Sequence, residues 1–340
     1  MQIKLTFKKI SLSFAAILIL FCVYFLYPPA YPEITFPDGK KFAFTIVDDT
    51  DNAILENIKP VYEFLDELGL RTTKTVWVLP SNDTSQWANR GACLCDSAYT
   101  AYILDLQSRG FEIALHGARG GDSKRGEIIP AFEKYKETFG AYPNIHINHA
   151  VNTDNLYWGE DKFSFYPFKL LYRWMFSNKK YYGHVPGSEY FWGDLVRDYV
   201  TYVVNFSFYD INLLKINPSF PYFNPDKPYV NYWFHSSEGA DVYRMNELLT
   251  KENVDRLEEE GGVCLVYTHL ARDFYKDDSL NATFRKHMKY LASKEGWFVP
   301  ASEILDYLRL HREGERTLSF REKTRLEIIW LYEKLIHGSS

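Results

Sequence analysis

The chain has 340 residues, 46% of them hydrophobic and 24% charged, a balance that excludes a disordered polymer and leaves room for one large folded domain. A formal net charge of −5, with no long basic run beyond the extreme N-terminus, excludes a nucleic-acid footprint. Aromatic residues make up 17% of the chain, and 26 of the 79 residues from Tyr157 to His235 are Phe, Tyr or Trp. Flat apolar faces at that density suit either a bulky core or stacking on sugar rings.

Residues 1–9 read as a short cytoplasmic tail carrying Lys4, Lys8 and Lys9. The uncharged stretch 10–27 is near the lower length limit for a transmembrane helix, and the preceding lysines place the N-terminus inside. The expectation is a single-pass membrane protein whose lipid partner is contacted by this helix and whose domain lies outside the cytoplasm. A linker follows at 28–40, marked by Pro28, Pro29, Pro32, Pro37 and Gly39. Cys22, Cys93, Cys95 and Cys264 do not form a disulfide framework, and a Cys93–Cys95 bridge is tight.

From residue 41 to 310, apolar runs alternate with amphipathic stretches. Phe42–Val47 is predicted as a buried strand, Pro60–Leu68 as a helix opening on its proline, and Thr72–Leu79 as a strand. Ala98–Arg109 (helix), Phe111–Leu115 (strand), Ile128–Phe139 (helix) and Asn144–Asn148 (strand) follow. Repetition of strand and helix implies parallel strands with helices outside, hence a barrel or a doubly wound sheet with its site beyond the strand C-termini. The period fails over about 157–241, which reads as a large aromatic-rich insertion. It returns with strand Val263–Thr268, helix Ala282–Ser293, strand Trp297–Val299 and helix Ala301–Leu310. A last amphipathic helix, Phe320–Ile336 within the tail 311–340, is expected to pack on the barrel or on a partner.

Four predicted strand ends carry chemistry. Asp48, Asp49 and Asp51 follow the first strand, where one carboxylate could ligate a metal while its neighbour serves as a base; capping or turn formation is the structural alternative. His116 ends Phe-Glu-Ile-Ala-Leu-His, with Arg119 and Gly120 behind it. His146 and Asn148 share one face of the fourth strand, and His149 falls in the outgoing loop with Asn152 and Trp158 beyond it. His269 ends Cys264-Leu-Val-Tyr-Thr-His, with Arg272 next. An Asp and two His around one mouth match the donor set of a hydrolytic zinc centre with a position left for water.

This order of motifs resembles the NodB-homology polysaccharide deacetylases of carbohydrate esterase family four over roughly Phe42 to Leu310. The resemblance implies a distorted (β/α) barrel, a divalent metal, most plausibly zinc, and hydrolysis of acyl groups on a polysaccharide outside the cytoplasm. It assigns Asp48 as base, Asp49 and His116 as metal ligands, and His269, in a leucine-x-x-histidine motif with one extra residue, as proton donor. The segment Trp297–Leu308 resembles the family's final strand and helix. The second metal histidine, expected four residues after the first, is replaced by Gly120, so His149 is taken as the third ligand, with His184 or His235 behind it. Arg119, Asn152, Trp158 and Arg272 are the expected substrate contacts. Two other readings stay open: a glycoside hydrolase pairing Asp48 or Asp49 with Asp154 or Glu160, and a non-catalytic carbohydrate-binding or assembly protein.

Overall fold

The computed structural model describes residues 24–311 and 314–338. Seven parallel strands close into a barrel: β1 (Phe42–Asp48), β2 (Thr73–Val76), β3 (Glu112–Leu115), β4 (Ile145–His146), β5 (Tyr202–Phe208), β6 (Tyr232–Glu238) and β7 (Val263–Thr268). Each pairs with the next, and β7 returns to β1 over Ala43–Asp48 against Val263–Thr268. A short strand, Gly296–Trp297, pairs with the start of β1 at Phe42–Ala43, on the edge that β2 takes at Val47–Asp48. Helices cover the barrel, so β1 is buried along its whole length, as an apolar run between two covered faces requires.

The helix expected from Pro60 begins earlier, at Leu55, with Pro60 inside it. The side-chain Oδ1 of Asn57 accepts from the Ile54 N–H and starts the helix a turn and a half before the proline. The helix Arg125–Phe139 likewise starts before the predicted Ile128.

The largest correction concerns 157–241. This is not one loop insertion: it supplies β5 and β6, two of the seven barrel strands, together with the helices Tyr166–Met175 and Gly193–Tyr199. Their polar residues, among them Asn205, Ser207, His235 and Ser236, are buried and interrupt the apolar runs by which buried strands are read. The last helix, Phe320–His337, packs on the barrel. Trp330 meets Phe163 and Phe206 at ring-centroid distances of 5.7 and 5.5 Å, and the Glu327 carboxylate accepts from the backbone N–H groups of Ser164 and Phe165.

The expected single-pass membrane placement is corrected. Among the described residues no helix is long and apolar enough to cross a membrane; of the predicted span 10–27, all but the last four residues lie outside the described residues. Cys93 and Cys95 are joined by the tight bridge that their spacing allows, and Cys264 is a buried free thiol.

Inside the barrel, β2 places a fully buried lysine opposite the end of β1. The Lys74 ammonium lies 3.1 Å from Asp48 Oδ2, and neither side chain has solvent exposure. Burial pushes the Asp48 carboxyl up against the opposing pull of Lys74. The Tyr62 hydroxyl also donates to Oδ2 (2.9 Å), and the Leu270 N–H to Oδ1 (2.8 Å). Removing one partner strands the other charge in the interior. Lys74→Met is therefore expected to lower unfolding stability by about 3–5 kcal/mol, and the Asp48→Asn/Lys74→Met pair to cost well under the sum of the single changes. Denaturant titrations of the four proteins check this, and additive losses would break the argument.

Candidate metal centre

The C-terminal ends of β1, β3, β4 and β7 bring acids and histidines together. β1 runs in register with β7, and one further ladder bond, from the Asp49 N–H to the Thr268 carbonyl (2.8 Å), carries the pairing past the strand end. Asp49 and Asp51 are thereby set beside Tyr267 and His269. His116 follows β3, and His149 leaves the turn after β4.

Three donor atoms form a nearly regular triangle. His116 Nε2 lies 3.2 Å from His149 Nδ1, Asp51 Oδ1 lies 3.3 Å from His116 Nε2, and Asp51 Oδ1 lies 3.3 Å from His149 Nδ1. Tetrahedral coordination with bonds of about 2.0–2.1 Å separates its donors by about 3.3 Å, so this set fits a divalent ion such as zinc. All three residues are buried, and Asp51 Oδ1 has no hydrogen-bond partner. Such an acceptor is costly unless something neutralises it.

The surrounding shell prepares the donors. His149 Nε2 is 2.7 Å from the side-chain oxygen of Asn89, an arrangement in which Nε2–H donates and the Nδ1 lone pair faces the triangle. The fully buried Trp77 stacks on His116 and meets His149 edge-on, at centroid distances of 6.1 and 5.5 Å. Burial, reinforced by His116, pushes His149 down to about 3, which keeps it neutral and able to ligate. Burial and the neighbouring Asp49 charge push Asp51 up to about 7. Burial also acts on Asp49, but His116, His269 and the Tyr267 hydroxyl hold its carboxyl well below the usual range.

Asp49 and His269 lie at the edge of the triangle. Asp49 Oδ1 is 3.2 Å from His116 Nε2, and Oδ2 accepts a 2.5 Å hydrogen bond from the Tyr267 hydroxyl. His269 Nδ1 lies 2.6 Å from the Ala240 carbonyl oxygen and so carries its proton there, which turns Nε2 toward Asp49 Oδ2 (3.6 Å) and Asp51 Oδ2 (3.7 Å). A cavity of about 280 Å³ opens over the cluster and is lined in part by Asp49, Asp51, His149, Trp158, His269 and Arg272.

Of the expected site residues, Asp49, His116, His149, Trp158, His269 and Arg272 are thus found at or around one cluster. Asp48, expected as the base, does not line the cavity; its carboxylate is bound by Lys74, Tyr62 and the Leu270 N–H. Asp49, expected as a ligand, does not close the triangle; Asp51 does. Arg119 is tied to Glu127 (2.8 Å), and Asn152 holds the loop after β3 by accepting from Gly121 N–H and donating to the Arg119 carbonyl, so neither lines the cavity. His184 is engaged with the Tyr157 N–H, and His235 is buried beside Asn217, both away from the cluster. The carboxylates of the glycosidase reading are also engaged elsewhere: Asp154 accepts from Ser123 N–H, and Glu160 is held by Arg173 and Lys180.

Asn89, Trp77, Lys74 and Tyr267 escaped the sequence reading. Tyr267 could have been found by alternation, two residues before His269 on the same strand face, and Lys74 as a charge inside an apolar run. Asn89 sits in a polar loop with no local signal. That loop also explains Gly120: a Cβ there would come within 2.7 Å of the Asn89 carbonyl oxygen and 2.8 Å of its Cα. No histidine fits where the family pattern places one, and His149 fills the third corner from the next strand.

Asn89→Ala should weaken zinc binding by about 10–100-fold while leaving the three ligands in place. Competition with a chromophoric chelator measures it, and an unchanged affinity would show that His149 is oriented without Asn89.

No protein-family model matches the sequence, and no curated protein does. Among solved structures, the chain is similar to a Mycobacterium smegmatis protein assigned as a polysaccharide deacetylase, at 15% identity and a TM-score of 0.51, covering 86% of this chain and 98% of that one. It is also similar to the PuuE allantoinase, at 12% identity and a TM-score of 0.50, covering 86% and 98%. At these identities the likeness is one of architecture, and with the closed parallel barrel it shows that the chain has the NodB-homology (β/α) barrel fold.

Proposed function

We propose that the protein is a metal-dependent hydrolase that removes acyl groups, acetyl above all, from a carbohydrate by cleaving an amide or ester bond. The observation that carries this reading is the triangle of Asp51, His116 and His149 with Asp49 and His269 at its edge, under a cavity of about 280 Å³. The similar solved structures, one assigned as a polysaccharide deacetylase and one an allantoinase, support a hydrolase of C–N bonds on this barrel. The preference for a polysaccharide rests on the motif resemblance and on Trp158 in the cavity lining.

Asp51 Oδ1, His116 Nε2 and His149 Nδ1 would hold the ion. A divalent metal bound there supplies Lewis-acid polarisation of the acyl carbonyl and a water acidified toward neutrality. Asp49 is the base: its ionised carboxylate, oriented through Oδ2 by the Tyr267 hydroxyl, accepts the proton of the attacking water. This reassigns the role that the motif resemblance gives to Asp48. The proton that Asp49 takes reaches the departing amine or alcohol by way of His269 Nε2, the unprotonated nitrogen that faces Asp49 Oδ2 at 3.6 Å once Nδ1–H is committed to Ala240. Arg272, stacked 4.4 Å over the Trp87 ring, borders the cavity as a substrate contact.

The test uses zinc-loaded protein and an acetylated glucosamine oligomer, with acetate release as the readout. Asp49→Asn is expected to retain zinc yet lose about 10²–10⁴-fold in kcat, whereas Asp51→Ala loses zinc and activity together. Release of acetate that survives exhaustive chelation, or an Asp49→Asn variant with native kcat, would overturn the reading.

A further inference from the structure

The cavity has a second charged feature that the hydrolytic centre leaves unused. Lys162, in the turn Gly159–Lys162 before the helix Tyr166–Met175, is 5% exposed and lines the same cavity as Asp49, Asp51 and His269. Its ammonium rests 3.4 Å from the centroid of Trp158 and 5.3 Å from that of Trp330. Among the described residues no carboxylate lies within ion-pair distance of it, whereas the nearby Glu160 and Asp161 are taken by Arg173, Lys180 and Lys169. Burial, with Lys334 and Lys227 adding to it and Glu238 only partly opposing, pushes the Lys162 amine well below the usual lysine range, so that full charge there calls for an anion beside it. A buried ammonium without a counter-ion is expensive, and an indole face offsets only part of that cost.

Asn205, on β5, lines the cavity as well. It is 5% exposed, its amide N–H donates to the Tyr222 hydroxyl at 3.3 Å, and its side-chain oxygen is buried with no donor. One wall of the cavity thus holds an amine with no counter-ion and a buried amide oxygen with no donor. A neutral sugar satisfies only the second. A sugar acid satisfies both, presenting a carboxylate to the ammonium and a hydroxyl to the amide oxygen.

We propose that Lys162 and Asn205 form a subsite for a sugar carboxylate, so that the acylated carbohydrate processed by this centre is acidic. The inference rests on the hydrolase reading for the word processed, but not for the binding itself. Calorimetric titration of the whole protein, stripped of metal so that no ion can capture the carboxylate, compares D-glucuronate with D-glucose. Glucuronate is expected to bind about tenfold more tightly; Lys162→Met abolishes the difference, and Lys162→Arg retains it. Equal affinities, no glucuronate binding, or a preference that persists in Lys162→Met would overturn the subsite and leave Lys162 as a cation packed between two indoles. The comparison within the native protein stands even if Lys162→Met fails to fold. Zinc titration of the same sample separates the two readings: a protein that prefers glucuronate but takes up no zinc sinks the hydrolase, and one that takes up zinc without the preference sinks only the subsite.

Discussion

The buried pair of Asp48 and Lys74 decides what the other aspartates are free to do. Three acids follow one another at the end of β1, and like charges so close cannot all remain in a dry interior. Lys74 projects from β2 in register with Asp48 and removes that first carboxylate from the problem, with Tyr62 and the Leu270 N–H occupying its remaining lone pairs. Asp49 and Asp51 are left at the mouth, joined by the hydrogen bond from the Asp51 N–H to Asp49 Oδ1 at 3.0 Å. The motif order suggests a base followed by a ligand at 48 and 49. The packing takes Asp48 out of the mouth and leaves Asp49 and Asp51 there beside the histidines, because the first position has become part of the core.

A similar displacement operates at the third corner. The loop that carries Asn89 runs against the backbone of Gly120 and closes the space in which a side chain there would have to stand. The Asn89 side-chain oxygen accepts a hydrogen bond from His149 Nε2–H, which points Nδ1 inward, so one loop both leaves no room for a side chain at Gly120 and orients His149. Trp77 completes the arrangement by limiting the tilt of both imidazoles. Three candidate donors thus meet within 3.2–3.3 Å of one another although they come from three different strand ends.

Much of this was legible before folding. The strand ends bearing His116 and His269, the terminal run of aspartates and the third histidine at 149 follow from the rule that parallel barrels gather their chemistry at strand C-termini. β7 and the helix Ala301–Leu310 match their predicted limits because the apolar run of the one and the amphipathic spacing of the other are unbroken. β5 and β6 were illegible for the opposite reason: buried polar residues, Asn205 and Ser207 on one strand and His235 and Ser236 on the two faces of the other, stand among dense aromatics and erase the period that distinguishes strand from loop. Which of three aspartates meets the histidines depends on Lys74, a contact between strands that no spacing along β1 encodes. Asn152 illustrates the limit from the other side. A polar residue beside the site reads as a ligand contact, yet here it satisfies backbone groups of the loop after β3.

The aromatic bias of the chain has an electrostatic consequence at the cavity. Arg119, Arg173 and Lys180 are each neutralised by a carboxylate. The two cations that line the cavity are held differently: Lys162 rests on Trp158, and Arg272 on Trp87 with its nearest acid, Asp51 Oδ2, at 3.8 Å. An indole face attracts a cation through its quadrupole without donating or accepting a proton and without cancelling the charge. Carboxylates in the same places would have fixed the side chains equally well, but they would have extinguished the positive potential and added acids to a cluster that already holds two in excess. Trp158 and Trp87 thus fix the position of both side chains without adding an acid to the mouth.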